Sequence, residues 1–561
     1  MWRKALIAIL AISLLAAFAY AGGKAETGGK ATAAAGDPFG AYSSTLSMKI
    51  GKQVEPTWKY PEGDSPENNI YSRYLAKTLN IDVKNSWQAG SQADYFQKVN
   101  LCIAANDLPD GLGIITVQHL KAMVNADEVA DLTDAFNKYA SPPMKAMFDK
   151  SGGQAAKAVT FGGKMYAIPN IAVPDDGYHL AWIRKDWLDK LGLQPPKTLD
   201  DLEAVAKAFV DKDPGGNGPG NTVGISGPQN GGKLYATFLE STSNSFGFDP
   251  IFSALHSYPA YWLKGSDGKV VYGSILPETK TALDKLADWY AKGLIDREMG
   301  VQKDATQPIV SGRAGIFFGP WWVGYWPFPD AFKNNPDANW QAYAIPVDSS
   351  GKWSPHIGMT AGNQFSVIRK GYSNPEALVK MLNCLIRDEG TFDQKTATIG
   401  DYPLRVPMAM PDECPVTINA MKDVLAGKKK PTDFDTPDYR VYKLLLSDVN
   451  AIEGVKKPPI DNYESMYWDK SNSSFPRMFS LMVGSATIYK QSASKVESVL
   501  WTQTKTMETK WATLKKLEDE TFLKIIMGAA PVSTFDTFVK DWKAQGGDQV
   551  TAEVQAEADR K

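Results

Sequence analysis

Three consecutive segments decide the fold: YSSTLSMKI (Tyr42–Ile50), NIYSRYLAKTL (Asn69–Leu79) and IDVKNSW (Ile81–Trp87). The first mixes small polar and apolar residues as a strand does, the second places apolar residues at helical spacing, and the third returns to strand composition. Strand, helix, strand opens an α/β unit with a parallel sheet. The pattern continues with a helix over Tyr95–Ala105, a turn at Asn106–Gly111 leading into Ile114–Ile115, and short helices at 120–124, 129–136 and 143–148. GGKMYAIP, from Gly162 to Pro169, reads as a hairpin around a Gly-Gly turn.

A second unit starts at His179–Arg184, an exposed-to-buried strand, followed by a helix over Lys185–Leu191 that Gly192 ends. Pro195 and Pro196 then make a turn, Thr198 caps the next helix, and that helix runs to Phe209. Thr281–Asp296 is expected as a helix closed at Gly293, Gly315–Phe318 as a buried strand, and Pro375–Arg387 as a helix with proline in its first turn. From Pro407 the chain is rich in proline and charge and reads as surface connection. Beyond Tyr439 it reads as helical, with one long helix over Val496–Met527 and a last one over Phe535–Trp542.

Arg3 and Lys4 precede an apolar run, Ala5–Ala19, too short to span a membrane comfortably, and small residues at Ala19 and Ala21 suit cleavage before Gly22. This predicts a secretory signal over 1–21. No cysteine follows the run, so the expectation is a released, unlipidated periplasmic protein. Residues 22–39 are mostly Gly, Ala, Thr and Lys and are expected to be a disordered leader.

A 561-residue chain exceeds what one core supports. Its 61 Lys plus Arg balance 63 Asp plus Glu, which argues against a nucleic-acid or anionic-membrane partner. The three cysteines, Cys102, Cys384 and Cys414, allow at most one disulfide, and the four histidines, His119, His179, His256 and His356, lack ligand spacing. The 16 Trp, 23 Tyr and 23 Phe supply rings suited to stacking on sugars, although most must fill cores. No nucleophile-elbow, P-loop, zincin or dinucleotide motif occurs, so no catalytic residue is assigned.

GPWWVGYWP (Gly319–Pro327) leaves a strand end, where clefts form in α/β units, so Trp321, Trp322, Tyr325 and Trp326 are the first candidates for ligand contact. Tyr258, Tyr261 and Trp262 form a second aromatic group. Asn363 and Gln364 could offer amides to hydroxyls, and Trp87, Asp107, His179 and Arg405 are further rim candidates. DPGGNGPGN (Asp213–Asn221) has the spacing of a calcium loop, with Asp213, Asn217, Pro219 and Asn221 as ligands. Its third position is Gly215 and its twelfth is Gly224, so the bidentate carboxylate is missing.

WIRKDWLDKLGL (Trp182–Leu193), PKTLDDL (Pro196–Leu202), KDPGGNG (Lys212–Gly218), YAKGLID (Tyr290–Asp296), GRAGIFF (Gly312–Phe318) and FDTFVKDW (Phe535–Trp542) together resemble the extracytoplasmic solute-binding proteins of sugar ABC transporters, family 1, specifically the LplA-like and alginate-oligosaccharide-binding group. The resemblance covers nearly the whole chain after the signal. It implies a two-lobed periplasmic binding protein fold of type II-like α/β architecture, with extra helices in the C-terminal part. The lobes would comprise 40–175 plus about 358–435, and 176–357 plus about 436–561. It further implies an oligosaccharide held between the lobes of a monomer, aromatic residues in the cleft, delivery to an ABC permease and a structural Ca2+ at Asp213–Asn221. A periplasmic glycan hydrolase and a binding protein for a non-sugar polar solute are the competing readings.

Overall fold

The structure, a computed structural model, describes residues 36–559 apart from 55–59, 229–233, 236–245, 302–305, 359–360, 393–398 and 454–468. The predicted signal and most of the predicted leader lie outside the described residues. In chain order the strands are β1 (Leu46–Gln53), β2 (Ile81–Ala89), β3 (Gly111–Ile115), β4 (Thr160–Phe161), β5 (Lys164–Met165), β6 (Ile168–Ile171), β7 (Leu180–Arg184), β8 (Val223–Ile225), β9 (Trp262–Lys264), β10 (Val270–Tyr272), β11 (Ala314–Gly319), β12 (Trp340–Tyr343) and β13 (Ala361–Ile368).

Two sheets organise the molecule. The first has the order β2-β1-β3-β13-β6, with β1 parallel to β2 and β3, and β13 antiparallel to both its neighbours. The helix Ile70–Leu79 makes the crossover between β1 and β2: Asn69 accepts the amides of Tyr71 and Ser72 as its N-cap, and Asn80 closes it in the left-handed region. The second sheet has the order β12-β7-β11-β8, with β7 antiparallel to β11 and β12, and β11 parallel to β8. Every residue of β7 is buried, because both of its faces are covered. Leu180 and Trp182 enter one core and Ala181 and Ile183 the other, which is the period-two division of a strand between two layers. Behind the second core pack the helices Leu199–Lys212, Pro277–Ala291 and Lys505–Ile526. Thr198 caps the first of these in a capping box with Asp201.

The chain passes from β6 to β7 through residues 172–179, and from β12 to β13 through 344–360. A later stretch runs beside the second passage, pairing Ala493 with Trp353 and Val496 with His356. Between them, Phe475–Ile488 forms helical turns that pack against residues 321–324, with Gly484 against the Trp321 carbonyl and Gly324 against that of Pro476.

Several expectations change. Ordered packing begins before Tyr42: the Asn383 amide donates to the Pro38 carbonyl at 3.1 Å and the Arg387 guanidinium lies 4.3 Å over the Phe39 ring. Residues 408–425 are largely interior, with a helix over Glu413–Leu425 that buries Cys414, Ile418, Met421 and Val424, whereas residues 426–440 are mostly exposed, as expected; Pro415 is tolerated because it falls in the first turn, where no helical N–H bond is lost. The long C-terminal helix starts at Lys505, since residues before it are taken up as extended chain, the Val499 amide donating to the Trp262 carbonyl at 2.9 Å. Cys102, Cys384 and Cys414 are free thiols, the first half-buried and the others buried.

Gly315 in β11 lies where an added Cβ would sit 2.3 Å from the Phe209 ring and 2.9 Å from that of Trp187. Gly315→Ala should therefore cost about 1–3 kcal/mol by overpacking the sheet–helix layer. Chemical denaturation would show the lowered midpoint at unchanged slope.

Candidate functional site

Two cavities lie against the strand ends and share Arg405 and Pro407. The first, about 310 Å³, opens beside the end of β1 and is lined by Lys52, Gln53, Gln92, Gln364 and Arg405. The second, about 300 Å³, lies where the first passage leaves β6 and is bordered by Asp176, Trp321, Glu389, Arg405, Glu413 and Arg477. Strand ends supply such clefts because side chains there leave the packed layers while their backbones stay fixed.

The aromatic wall of the second cavity is positioned from β11. Its last residue, Gly319, leads to Pro320, whose carbonyl accepts the buried Trp182 indole at 3.1 Å, and the next residue, Trp321, donates its own indole N–H to Asp176 Oδ1 at 2.9 Å. Asp176 belongs to the short turn Pro174–Gly177 in the first passage. Its neighbour Asp175 points the other way, accepting from Ser485 and, at 2.6 Å, from the Tyr489 hydroxyl. Burial pushes the Asp176 carboxyl up to about 6, against the lowering effect of the Trp321 N–H.

Most cavity charges are already neutralised. Arg477 donates through Nε to both oxygens of Asp448 at 2.8 Å and through Nη2 to Glu413 at 2.9 Å, while Lys443 pairs with Glu389. In the first cavity Lys52 lies 3.3 Å from Asp401; burial lowers its ammonium to about 8 despite that carboxylate. Arg405 differs: among the described residues it makes no ion pair, its Nε is buried without a partner, and burial lowers its guanidinium. A ligand oxygen placed at the junction of the two cavities would meet this group.

The structure brings Trp321, Gln364 and Arg405 of the sequence candidates to the cavities. Trp322 is partly buried against the core, and Tyr325 and Trp326 are 47% and 37% exposed, with Trp326 edge-on to Phe246. Asn363 is exposed beside Gln364; the backbone amides of both donate to Asn170 Oδ1 at 3.0 Å. The other candidates lie elsewhere. Asp107 is exposed beyond the helix Gln92–Ala105, and Trp87 packs on Tyr95 and across Gly51. Tyr258 donates to the Ser354 carbonyl, and Trp262 is fully buried among Tyr272, Trp511 and Trp542. His179 is buried beside His356. Sequence reading passed over Lys52, Asp176 and Arg477. Only the first two carried a usable sign, lying at or just past the ends of extended segments.

The Asp213 loop does not fit a calcium ion. Asp213 Oδ1 accepts from the Asn217 amide at 2.9 Å and the Thr222 hydroxyl at 2.5 Å, and Oδ2 from the Gly218 amide at 2.9 Å. The Asn217 side chain donates to Thr222, Asn221 donates to the Asn217 carbonyl, and Lys190 donates to that of Pro214. An acidic ligand has no room at the third or twelfth position: a Cβ on Gly215 would lie 2.5 Å from Trp187, and one on Gly224 2.7 Å from the Leu294 carbonyl. One saturated carboxylate and a neighbouring ammonium do not make an oxygen cage for a hard divalent cation.

Comparisons with known proteins place this geometry. A family model described as bacterial extracellular solute-binding protein matches residues 69–415. The fructooligosaccharide ABC transporter substrate-binding protein FusA of Streptococcus pneumoniae serotype 4 is 28% identical over 376 residues, 62% of this chain and 64% of its own length. The polygalacturonan/rhamnogalacturonan-binding protein YtcQ of Bacillus subtilis is 28% identical over 261 residues, 45% of this chain and 47% of its own. The matched stretch thus spans between about half and just under two thirds of these relatives. The crystal structure of alginate-binding protein AlgQ2 without calcium ion superposes with a TM-score of 0.55 at 19% identity, covering 92% of this chain and 98% of that one, a likeness that shows the two-lobed α/β fold.

Two outcomes follow from the local chemistry. Asp213→Ala should destabilise the protein by about 1–3 kcal/mol through the donors it strands, and by the same amount in excess calcium and in chelator; a calcium-dependent melting temperature would contradict this. Asp176, raised from near 3.8 to about 6 in the fold, holds its proton more tightly folded than unfolded. It therefore adds stability as pH falls through about 6 and opposes folding above it. Asp176→Asn should melt higher than the parent at about pH 7.5, and the gap should close near pH 3.5.

Proposed function

This chain belongs to the bacterial extracellular solute-binding protein family, and from that premise we propose that it captures an oligosaccharide outside the cytoplasm and delivers it to an ABC importer without breaking a bond. The observation that carries this reading is the pair of cavities that share Arg405, one bordered by the edge of the largely buried Trp321 indole and by Glu389, Glu413 and Arg477, the other by the amides of Gln53, Gln92 and Gln364. An indole face covers the apolar face of a pyranose or furanose ring, while amides and charged groups exchange hydrogen bonds with hydroxyls that would otherwise lose water. The names of FusA, YtcQ and AlgQ2 each carry a glycan, which supports the same ligand class.

Binding to both lobes shifts the population toward a closed arrangement, and the closed pair of lobe surfaces is what a permease would read. The reading needs no metal at the Asp213 loop. It places the protein in the periplasm after removal of residues 1–21, freely diffusing. No helix among the described residues is long and apolar enough to cross a membrane. Hydrolysis is the poorer reading because a glycosidase works with two carboxyl groups: Asp176 is raised to about 6, but the other cavity acids, Glu389 and Glu413, are tied into ion pairs with Lys443 and Arg477.

Calorimetry against a panel of fructo-, gluco- and uronic oligosaccharides should give a one-to-one complex, with the ligand recovered intact by mass spectrometry. Trp321→Ala should weaken that complex by roughly 10- to 100-fold, and Arg405→Ala by a similar factor, without loss of fold. No response to any glycan, or shortened products, would overturn the reading.

A further inference from the structure

We propose that His179, Asp249 and His356 form a binding site for one divalent transition-metal ion of the zinc class, set where the chain crosses between the two sheets. Their ligand atoms all lie within 4.8 Å of one another, and all three residues are more than nine-tenths buried. His356 Nε2 is 3.0 Å from Asp249 Oδ1. The two imidazoles stack with centroids 5.9 Å apart and planes inclined by 27°, and each brings a ring nitrogen within 4.8 Å of the carboxylate and of the other's nitrogen. A tetrahedral ion with bonds of about 2.0–2.1 Å holds its ligand atoms roughly 3.3 Å apart. The His356–Asp249 edge is already near that spacing, and drawing in the third ligand takes at most about 1.5 Å of side-chain movement.

Two neutral imidazoles and one carboxylate suit zinc, cobalt, nickel or ferrous iron rather than calcium or magnesium, which take oxygen ligands. Three protein ligands leave a fourth position for water. The Tyr261 ring walls the site, edge-on to His356 at 5.1 Å, and its hydroxyl is anchored on the Ile357 carbonyl at 3.1 Å. The chain's other two histidines show what an ordinary placement looks like. His256 meets Asp348 at 3.4 Å with its side chain 57% exposed and, among the described residues, no third ligand, and His119 serves the helix start at Thr116.

The location gives the ion a consequence. His179 is the last residue before β7, in the first passage; His356 lies in the second and pairs with Val496 beside it; Asp249 opens the helix Asp249–Ala254. An ion there would tie both passages to the second sheet's layer and stiffen the region about which the lobes move. This does not depend on which solute the cleft takes.

The test uses the untagged exported chain, stripped with chelator and re-supplied with zinc or cobalt. Expected are one ion per chain by elemental analysis after gel filtration, a cobalt spectrum with the intensity of four-coordinate geometry, and a melting temperature raised by several degrees. His356→Gln and Asp249→Asn should each weaken the ion by at least 10-fold, whereas a His119→Gln/His256→Gln double variant should retain it. Circular dichroism checks that each variant folds. Absence of stoichiometric ion from the folded parent protein overturns the proposal even if a variant fails to fold, as does loss of the ion from the double variant. Sugar titration of the same stripped and loaded samples keeps solute capture a separate result.

Discussion

Two adjacent carboxylates where the chain leaves the first sheet for the second, Asp175 buried and Asp176 at the border of the cavity, are the constraint on which the site depends. Carboxylates taken out of bulk water need donors, and Asp175 and Asp176 take theirs from opposite sides. Asp175 draws on Ser485 and Tyr489 and so fastens the passage to the helical turns at 475–488, while Asp176 draws on the Trp321 indole and so fastens it to the end of β11. Glycine contacts complete the triangle, because only residues without a Cβ let Gly484 approach the Trp321 backbone and Gly324 that of Pro476. The orientation of the indole toward the cavity is thus set by three distant pieces of chain.

That arrangement explains what could and could not be read from the sequence. Local rules worked where the determinants are local. The capping residues Asn69 and Thr198, the left-handed Gly192 and the Gly162–Gly163 turn mark element ends through bonds to near neighbours. They failed where helical periodicity was kept but tertiary partners claimed the backbone, as at 496–504, and where proline and charge suggested a surface that in fact packs inward, as at Met408–Val424. The site was legible in part. Trp321 lies just beyond a strand end and Arg405 was a rim candidate, but the role of Asp176 depends on a partner 145 residues away and that of Arg477 on carboxylates 29 and 64 residues away. The proximity of His179 to His356 was hidden for the same reason.

The abundance of aromatic residues also divides differently from its first appearance. Trp182, Trp187, Trp262, Trp289, Trp340, Trp353 and Trp542 are all almost fully buried, many in ring clusters such as Tyr272 stacked on Trp542 at 4.9 Å. These rings fill wide layers between sheets and helices, where their area contributes most. A high aromatic content is therefore mainly a packing property of a large two-sheet chain, and the part available to a ligand is small and set by position.

The cleft's charges then bear on how capture would work. Pairing Lys52, Lys443 and Arg477 with carboxylates leaves little net field to attract solutes indiscriminately, and holds each side chain in place before a ligand arrives. Groups already ordered lose less entropy on binding, so more of each new contact is retained as affinity. Trp321 follows the second sheet and Arg405 follows the first, yet both border one cavity. Under the proposed reading, a solute that touches both would bind a closed arrangement better than an open one, and that difference would be the only free energy available to drive closure. A ligand confined to one wall would bind without shifting the lobes, so the requirement to reach both walls favours an extended, multi-hydroxyl molecule over a single small sugar.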